Sequence, residues 1–356
     1  MKIVAGLGSI DEYETFVKAG ADELFCGYVP FSWAEKYGVF QPLNRREVLF
    51  YNVQIGSMSE LMILKKMMDY YGKPVKLTFN SLSYTNEQYP LIAEIISQCM
   101  AAGFTDFIIA DMALILYLRQ QNIPCKIHVS GELSEVNRGM IEQLLPFGIK
   151  RIIFHRKNSL EDMRSCISYL TEKKQERVLA WKDCCTDEIP DVPAEFEAFV
   201  LNELCHFSGA FCNSLHCDEL THLCRVPYEL GNVREQPPVN RKNSKENILC
   251  AQNLLQVQEK NDEPSEEAFD ADGYLTGSTG CGLCALYQLK QAGITHLKLV
   301  GRGNYTDFME KDIRQLKKAL QILDNVDNEQ EFLFEMKKTL FPKGCSNRCY
   351  YFQTTE

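Results

Sequence analysis

The sequence predicts an α/β fold: a TIM-like (β/α) barrel with a long polar insertion before its closing strand and a cysteine-bearing C-terminal extension. Short runs rich in Val, Ile and Phe alternate with amphipathic segments over the first 200 residues, a pattern typical of parallel strands buried on both faces. About six or seven such units follow one another without a nucleotide-binding fingerprint, which favours a closed barrel over a doubly wound sheet. A last strand-like run at residues 295–300 lies far downstream and would close the barrel.

Each predicted strand is a short apolar run, and each predicted helix carries its apolar residues on one face. Several helices end at a glycine, as at Gly20, Gly103 and Gly148, which is a common signal for a helix C-terminus. The predicted strands comprise residues 2–7, 23–28, 75–80, 106–111, 125–131, 151–156, 196–201 and 295–300. The predicted helices comprise residues 10–18, 58–71, 87–102, 112–121, 136–147, 308–323 and 329–340.

The chain is expected to divide into a barrel domain at residues 1–325 and a C-terminal extension at residues 326–356. Residues 229–275 are interpreted as an insertion within the barrel domain, because this stretch is largely polar and charged, contains prolines and interrupts the alternation of strands and helices. A modest helix is expected inside the insertion at residues 248–258.

The composition limits the expected partners and compartment. A formal net charge of −10 does not favour a long phosphate backbone, and basic segments such as residues 240–245 are short, so RNA is less favoured than a small molecule or a peptide. The first residues lack a signal-peptide pattern and no apolar run approaches the length of a membrane span, so we expect a cytoplasmic protein without membrane contact. In that reducing compartment, 15 cysteines indicate metal or redox chemistry more than disulfides.

Polar residues follow the predicted strands at the end where parallel barrels carry their functional groups. Glu132, His155 and Arg156 are the candidate catalytic residues, because an acid, a titratable ring and a guanidinium close together suit the handling of an anion or a carboxylate. The candidate substrate-binding residues are Asn80, Asp111 and Arg302. At any one of these positions the alternative role is a helix N-cap or a loop hydrogen bond.

Eight cysteines lie in loop-like sequence rich in Gly, Ser and Asn. They are Cys205, Cys212, Cys217 and Cys224 in one passage, then Cys281 and Cys284, and finally Cys345 and Cys349. Thiolates spread over separate loops, without histidines at zinc-finger spacing, suit an iron–sulfur cluster or a four-thiolate zinc site. Buried thiols without a metal are the alternative. The terminal pair could complete such a site, cap it or form a separate one.

The segment at residues 197–214, EAFVLNELCHFSGAFCNS, resembles the cysteine signature of the collagenase-like U32 peptidase family, whose catalytic type is unknown. Other stretches resemble the same family, among them ELFCGY, LNRRE, SGELSEVN, GIKRIIFHR and LKLVGRG, and the likeness covers most of residues 1–325. The resemblance implies a TIM-like barrel. It also implies peptidase activity, as the family name says, or a [4Fe–4S] cluster and oxygen-independent hydroxylation, as in related members.

The resemblance also implies which thiolates would hold the cluster. The ligands are Cys205, Cys212 and Cys224, with Cys284 or Cys281 as the fourth. Cys217 is a spare in the same passage, and Cys26, near the end of the second predicted strand, is held in reserve. Zinc is the alternative metal.

Three functions follow from these observations. The favoured one is an iron–sulfur enzyme of oxygen-independent metabolism that acts on a small anionic or peptide substrate at the barrel mouth. The second is a collagenase-like peptidase, although the sequence contains no HExxH or Gly-x-Ser-x-Gly motif. The third is a non-catalytic, cluster-bearing subunit that pairs with another member of the same family.

Overall fold

The computed structural model describes residues 1–38, 40–45, 53–184, 195–205 and 268–351, without the side chains of residues 176–184. The strands in these ranges are β1 Lys2–Gly6, β2 Glu23–Tyr28, β3 Gln54–Ile55, β4 Val75–Phe79, β5 Asp106–Ile109, β6 Lys126–Val129, β7 Ile149–Ile153, β8 Glu195–Leu201 and β9 His296–Leu299. The helices are α1 Glu12–Ala19, α2 Phe31–Tyr37, α3 Met58–Tyr71, α4 Gln88–Ala101, α5 Met112–Gln120, α6 Arg138–Leu144, α7 Leu160–Cys184, α8 Leu286–Ala292, α9 Thr306–Leu323 and α10 Glu329–Leu340. The predicted helix at residues 248–258 lies outside the described residues.

Eight of the strands form a closed parallel barrel in the order β1, β2, β4, β5, β6, β7, β8 and β9, and β9 returns to β1. Val4 of β1 shows the closure, because it is in register with Glu23 of β2 on one side and with Lys298 of β9 on the other. The short strand β3 adds to β2 outside this ring. The predicted TIM-like barrel is therefore confirmed.

The helices follow local signals in the sequence. Helix α3 begins at a capping box, in which the Ser57 hydroxyl accepts from the Glu60 backbone N–H and the Glu60 carboxylate accepts from the Ser57 N–H. Helix α1 ends at Gly20, whose φ of 119° places it in the left-handed region that suits glycine. None of the described helices combines the length and the apolar character needed to cross a membrane.

A network of ion pairs fills the amino-terminal half of the barrel interior. Arg151 of β7 is 1% exposed and reaches across the barrel to carboxylates on two other strands. Its Nη1 donates to Glu197 at 2.7 Å, and its Nη2 donates to Glu23 and to Glu195, each at 2.7 Å. Lys298 of β9 adds a further bond of 2.9 Å to Glu197. Buried charges are stable in a protein when they are paired in this way.

The neighbouring cations keep these buried carboxylates ionised. Burial raises the pKa of Glu197, but Lys298 and Arg151 more than reverse that effect and hold it at about 2. Burial likewise opposes ionisation of Asp106, yet His128, Lys76 and Lys150 hold its pKa well below the usual range. The amino-terminal half of the barrel is thus a charged core instead of an apolar one.

The carboxyl-terminal half of the interior is apolar and includes a residue from the C-terminal extension. The buried members of this cluster are Val4, Phe25, Ile108, Ile153, Phe199 and Tyr350. The Tyr350 hydroxyl donates to the backbone oxygen of Asn202 just after β8, and the Tyr351 hydroxyl donates to the oxygen of Phe199 at 2.8 Å. The segment that follows helix α10 therefore returns to the mouth of the barrel and packs into it.

Asp312 of helix α9 is buried beside the end of β8. Its carboxylate accepts hydrogen bonds from the Asn202 side-chain amide at 2.7 Å and from the Tyr274 hydroxyl at 2.9 Å. Burial raises the pKa of Asp312 to about 6, although both hydrogen bonds favour the ionised form. Asn202 itself adopts a φ of 66°, and Glu203 follows with a φ of 49°, so the chain turns sharply where it leaves β8.

Candidate active site at the barrel mouth

An ion pair between Glu132 and Arg156 lies at the carboxyl ends of β6 and β7. Arg156 Nη1 donates to Glu132 Oε1 at 2.8 Å, and the guanidinium carbon is 4.1 Å from the centre of the Phe199 ring. Arg156 is 8% exposed, and its Nε is buried without a hydrogen-bond partner among the described residues. A buried guanidinium N–H that lacks a partner favours an acceptor such as a carboxylate oxygen.

His155 lies beside this pair in the loop after β7, and its ring is buried. The Lys157 backbone N–H donates to His155 Nδ1 at 3.1 Å, so in the neutral ring the proton is on Nε2. Burial lowers the pKa of His155, with Glu132 and Glu135 opposing the shift. The imidazole is therefore neutral near pH 7 and can offer an Nε2 proton to a substrate.

Arg302 extends across the mouth from the loop after β9. Its Nη1 donates to the Thr78 hydroxyl of β4 at 3.2 Å, and that hydroxyl donates to Asn44 Oδ1 at 2.6 Å. Gly27 of β2 lies beneath the guanidinium, and a Cβ atom there would be 2.5 Å from Arg302 Nη1. The absence of a side chain at Gly27 thus gives Arg302 its path across the barrel.

Asn80 is linked to the Glu132–Arg156 pair through Arg45. The Arg45 backbone N–H donates to Asn80 Oδ1 at 3.1 Å, and Arg45 Nε is 3.8 Å from Glu132 Oε2. The structure therefore links Glu132, Arg156 and Asn80 through Arg45, and His155 lies within electrostatic range of Glu132 and Arg156.

Asp111 lies at the N-terminus of helix α5 and serves as its N-cap. Its Oδ1 accepts from the Ala113 N–H at 2.7 Å, and its Oδ2 accepts from the Tyr84 N–H at 3.0 Å and the Tyr89 hydroxyl at 3.1 Å. Both carboxylate oxygens thus take part in bonds that organise the loops around the mouth. A direct contact between Asp111 and substrate stays a prediction.

Several described residues of the mouth were not predicted from the sequence, among them Asn44, Arg45 and Tyr350. Asn44 and Arg45 belong to the long connection after β2, where polar residues that reach the site cannot be told from loop residues. Burial raises the pKa of the Tyr350 phenol. The nearby Arg156 guanidinium lowers that pKa by a smaller amount, so the phenol stays neutral. The only feature of the sequence that could have indicated this contact is the pair of tyrosines directly after Cys349.

The candidate metal ligands are only partly within the described residues. Cys212, Cys217 and Cys224 lie outside them, and Cys205 is half-buried at the end of the stretch that follows β8. Cys281 pairs through its backbone with Leu201 of β8 and with Cys349, so the second and third cysteine groups meet near the end of β8. None of the cysteines whose side chains the structure describes forms a disulfide.

The fit of a metal to these thiols is partial. Across the described ranges, no three His, Cys, Asp or Glu side chains are already arranged around a common point that would hold an ion. The chemistry of the donors nevertheless suits a thiophilic metal, because several thiols from separate segments share one edge of the barrel.

The fold and the mouth define the class of protein: a (β/α)8 barrel with a cation-rich polar site at the carboxyl ends of its strands. The sequence model of peptidase family U32 matches residues 8–356, so the chain belongs to that family. No curated protein sequence matches the chain significantly.

Two solved structures resemble the chain at low sequence identity. One is the U32 peptidase Mk0906, which is 12% identical with a TM-score of 0.41, over 59% of this chain and 73% of that one. The other is octameric ribulose-1,5-bisphosphate carboxylase/oxygenase (Rubisco) from Pyrococcus horikoshii OT3, which is 10% identical with a TM-score of 0.46, over 95% of this chain and 62% of that one.

Proposed function

We propose that this protein is an enzyme that binds a small anionic or peptide substrate at the barrel mouth. The observation that carries the proposal is the buried Arg156, whose Nη1 is paired with Glu132 while its Nε is buried without a partner among the described residues. A substrate carboxylate would accept from that N–H and would be held by a charge-assisted bond in a site of low dielectric.

Glu132 and His155 would then act on the bound substrate. Glu132 lies between Arg156 and Arg45, where it would accept a proton or orient a polar group of the substrate. His155 would donate from Nε2, since its Nδ1 already accepts a backbone hydrogen bond. Arg302, on the opposite side of the mouth, would provide a second cation for a longer or doubly charged substrate.

The redox chemistry would come from a [4Fe–4S] cluster, which supplies single electrons when it is bound. The proposed ligands are Cys205, Cys212 and Cys224, with Cys281 or Cys284 as the fourth. Support comes from the cysteine signature and from the proximity of Cys281 to the end of β8. Zinc on the same thiolates is the alternative.

Anaerobic purification followed by iron and acid-labile sulfide assays tests the cluster. About four iron and four sulfide per chain are expected for one [4Fe–4S] cluster. A colourless, iron-free protein with intact thiols would contradict it, and zinc in place of iron would favour the alternative.

Binding of an N-acetyl dipeptide with a free carboxylate, compared with its C-terminal amide, tests the mouth. The unaltered chain should prefer the carboxylate, and Arg156→Met should reduce that preference by about tenfold or more, the value of one charge-assisted hydrogen bond. Arg314→Met is the matched control, because Arg314 pairs with Glu310 on the surface of helix α9. Equal affinities for carboxylate and amide in the unaltered chain would refute the proposal.

A peptidase that uses the same mouth is the second candidate, and membership of peptidase family U32 favours it. Cleavage of a peptide that persists in the presence of a chelator and is abolished by Glu132→Gln is the expected result for that function. If cleavage is equal in the unaltered chain and the variant, a contaminating protease is the source.

A further inference from the structure

Two cysteine pairs that are far apart in the sequence lie side by side in the fold. Cys281 and Cys284 are separated by two residues just before helix α8, and Cys345 and Cys349 by three residues after helix α10. Both spacings fall within the range that four-cysteine metal sites use for each ligand pair.

The backbone holds the two pairs against each other. The Cys281 N–H donates to the Arg348 oxygen at 2.8 Å, and the Tyr350 N–H donates to the Cys281 oxygen at 2.8 Å. These bonds make Cys281 and Cys349 partners in a parallel β-bridge. Residues paired in this way have backbones about 5 Å apart and present their side chains to the same side. Cys281 and Cys349, one thiol from each pair, therefore lie on the same side of the bridge.

The remaining two thiols are close to this bridge. Burial raises the pKa of the Cys281 thiol, and Cys284, Cys349 and Cys345 each add to that increase, so all four groups lie within electrostatic range of one another. Cys284 is in the short 3-10 helix at Leu283–Ala285, immediately after Cys281. Burial raises the pKa of Cys284 and of Cys349, and the charge of Lys337 on helix α10 opposes the shift at both thiols.

We propose that Cys281, Cys284, Cys345 and Cys349 form a four-thiolate site for a divalent thiophilic ion, with zinc as the expected metal. The site is structural: it fastens the C-terminal segment over the barrel mouth. This site uses both candidates for the fourth cluster ligand, so a cluster bound at the same time would take Cys217 as its fourth ligand, from the passage at residues 205–224.

Among the described residues, the four thiols do not surround one point. Metal binding therefore requires the four side chains to turn until each sulfur atom is about 2.3 Å from the ion. The β-bridge already fixes the backbone, so rotation of side chains is the main change. Each thiol that binds loses its proton to solvent, and no electron is transferred. Tyr350 follows Cys349 directly, so the ion would also hold the tyrosine that packs beside Arg156.

Cobalt titration of the full-length, chelator-stripped chain under anaerobic conditions tests the site. The tetrahedral thiolate absorption of Co²⁺ should appear, and Cys345→Ser/Cys349→Ser should bind one Co²⁺ fewer per chain than the unaltered protein. Cys184→Ser/Cys185→Ser is the matched control and should bind as the unaltered protein does, since those two cysteines belong to no proposed site. Equal cobalt binding by all three proteins would overturn the proposal.

Alkylation of the unaltered chain provides a test that does not depend on how a variant folds. Zn²⁺ should protect Cys345 and Cys349 from iodoacetamide, as measured by peptide mass spectrometry. Equal labelling with and without Zn²⁺, or a disulfide between Cys281 and Cys349 in freshly isolated protein, would overturn the proposal. Iron and sulfide contents report on the cluster alone, so failure of either site can be told from failure of the other.

Discussion

Replacing Arg151 by methionine keeps much of the apolar stem of the side chain and removes a positive charge from the centre of the barrel. The carboxylates of Glu23, Glu195 and Glu197 each lose an ion-pair partner. Glu197 retains Lys298 at 2.9 Å, and Glu23 retains Lys2 at 3.4 Å and Lys76 at 3.7 Å. Glu23 and Glu197 thus lose their shortest ion pair, and Glu195 loses the ion pair that the described residues give it.

Breaking a buried ion pair by removing one partner costs about 3–5 kcal/mol, because it leaves an uncompensated charge in a medium of low dielectric. We expect Arg151→Met to lower the free energy of unfolding by that amount, a large share of the stability of an ordinary domain. The loss should be greater at pH 8 than at pH 5. Arg151 helps to hold the pKa of Glu197 at about 2, so in its absence the pKa rises and protonation at lower pH relieves part of the cost.

Equilibrium urea denaturation followed by circular dichroism measures the effect, with the slope of the transition as a check that the surface exposed on unfolding is unchanged. Arg314→Met is the control. Arg314 forms a surface pair with Glu310 on helix α9, so its loss should change stability by less than about 0.5 kcal/mol. A double-variant cycle with Glu197→Gln should show strong coupling at Arg151. A change of less than about 1 kcal/mol in Arg151→Met would refute this account of the charged interior.

Three further outcomes are expected. Asp312 has a pKa of about 6 in the folded chain against an ordinary 3.8, so stability falls as pH rises between these values, by about 3 kcal/mol, and Asp312→Asn should flatten that slope in denaturation curves. Tyr351→Phe removes the bond to the Phe199 oxygen and should cost about 1 kcal/mol in the same assay. Gly27→Ala places a methyl group against the Arg302 guanidinium and should weaken anion binding more than stability, as calorimetric titration would show.

Much of the barrel could be predicted because its elements carry local signals. The start of helix α3 follows from its capping box at Ser57, and strand β2 coincides with the run ELFCGY, which is apolar after Glu23. Helix α7 was not predicted at Leu160–Cys184, since its sequence is mostly charged and polar. The extent of a helix with so narrow an apolar face is set by packing more than by its own sequence.

The candidate site was harder to predict from the sequence than the barrel, because some of its residues come from segments outside the barrel strands. Glu132 and Arg156 follow strands that are neighbours in the barrel, so their meeting follows from the strand order. Arg45 reaches the same pair through a connection with no regular pattern, and Tyr350 arrives from a segment beyond the last strand. Such contacts depend on the path by which the chain returns to the barrel. That path cannot be predicted from residue types and their spacing alone.

The pairing of β1 with β9 has a consequence for biosynthesis. One edge of β1 has no barrel neighbour until the ribosome has made His296–Leu299, so the nascent chain carries an unsatisfied row of backbone groups for most of its synthesis. Contacts this distant in sequence give a high contact order and slow folding. We therefore expect this barrel to depend on chaperones or on slow translation, with truncated chains that end before β9 prone to aggregation.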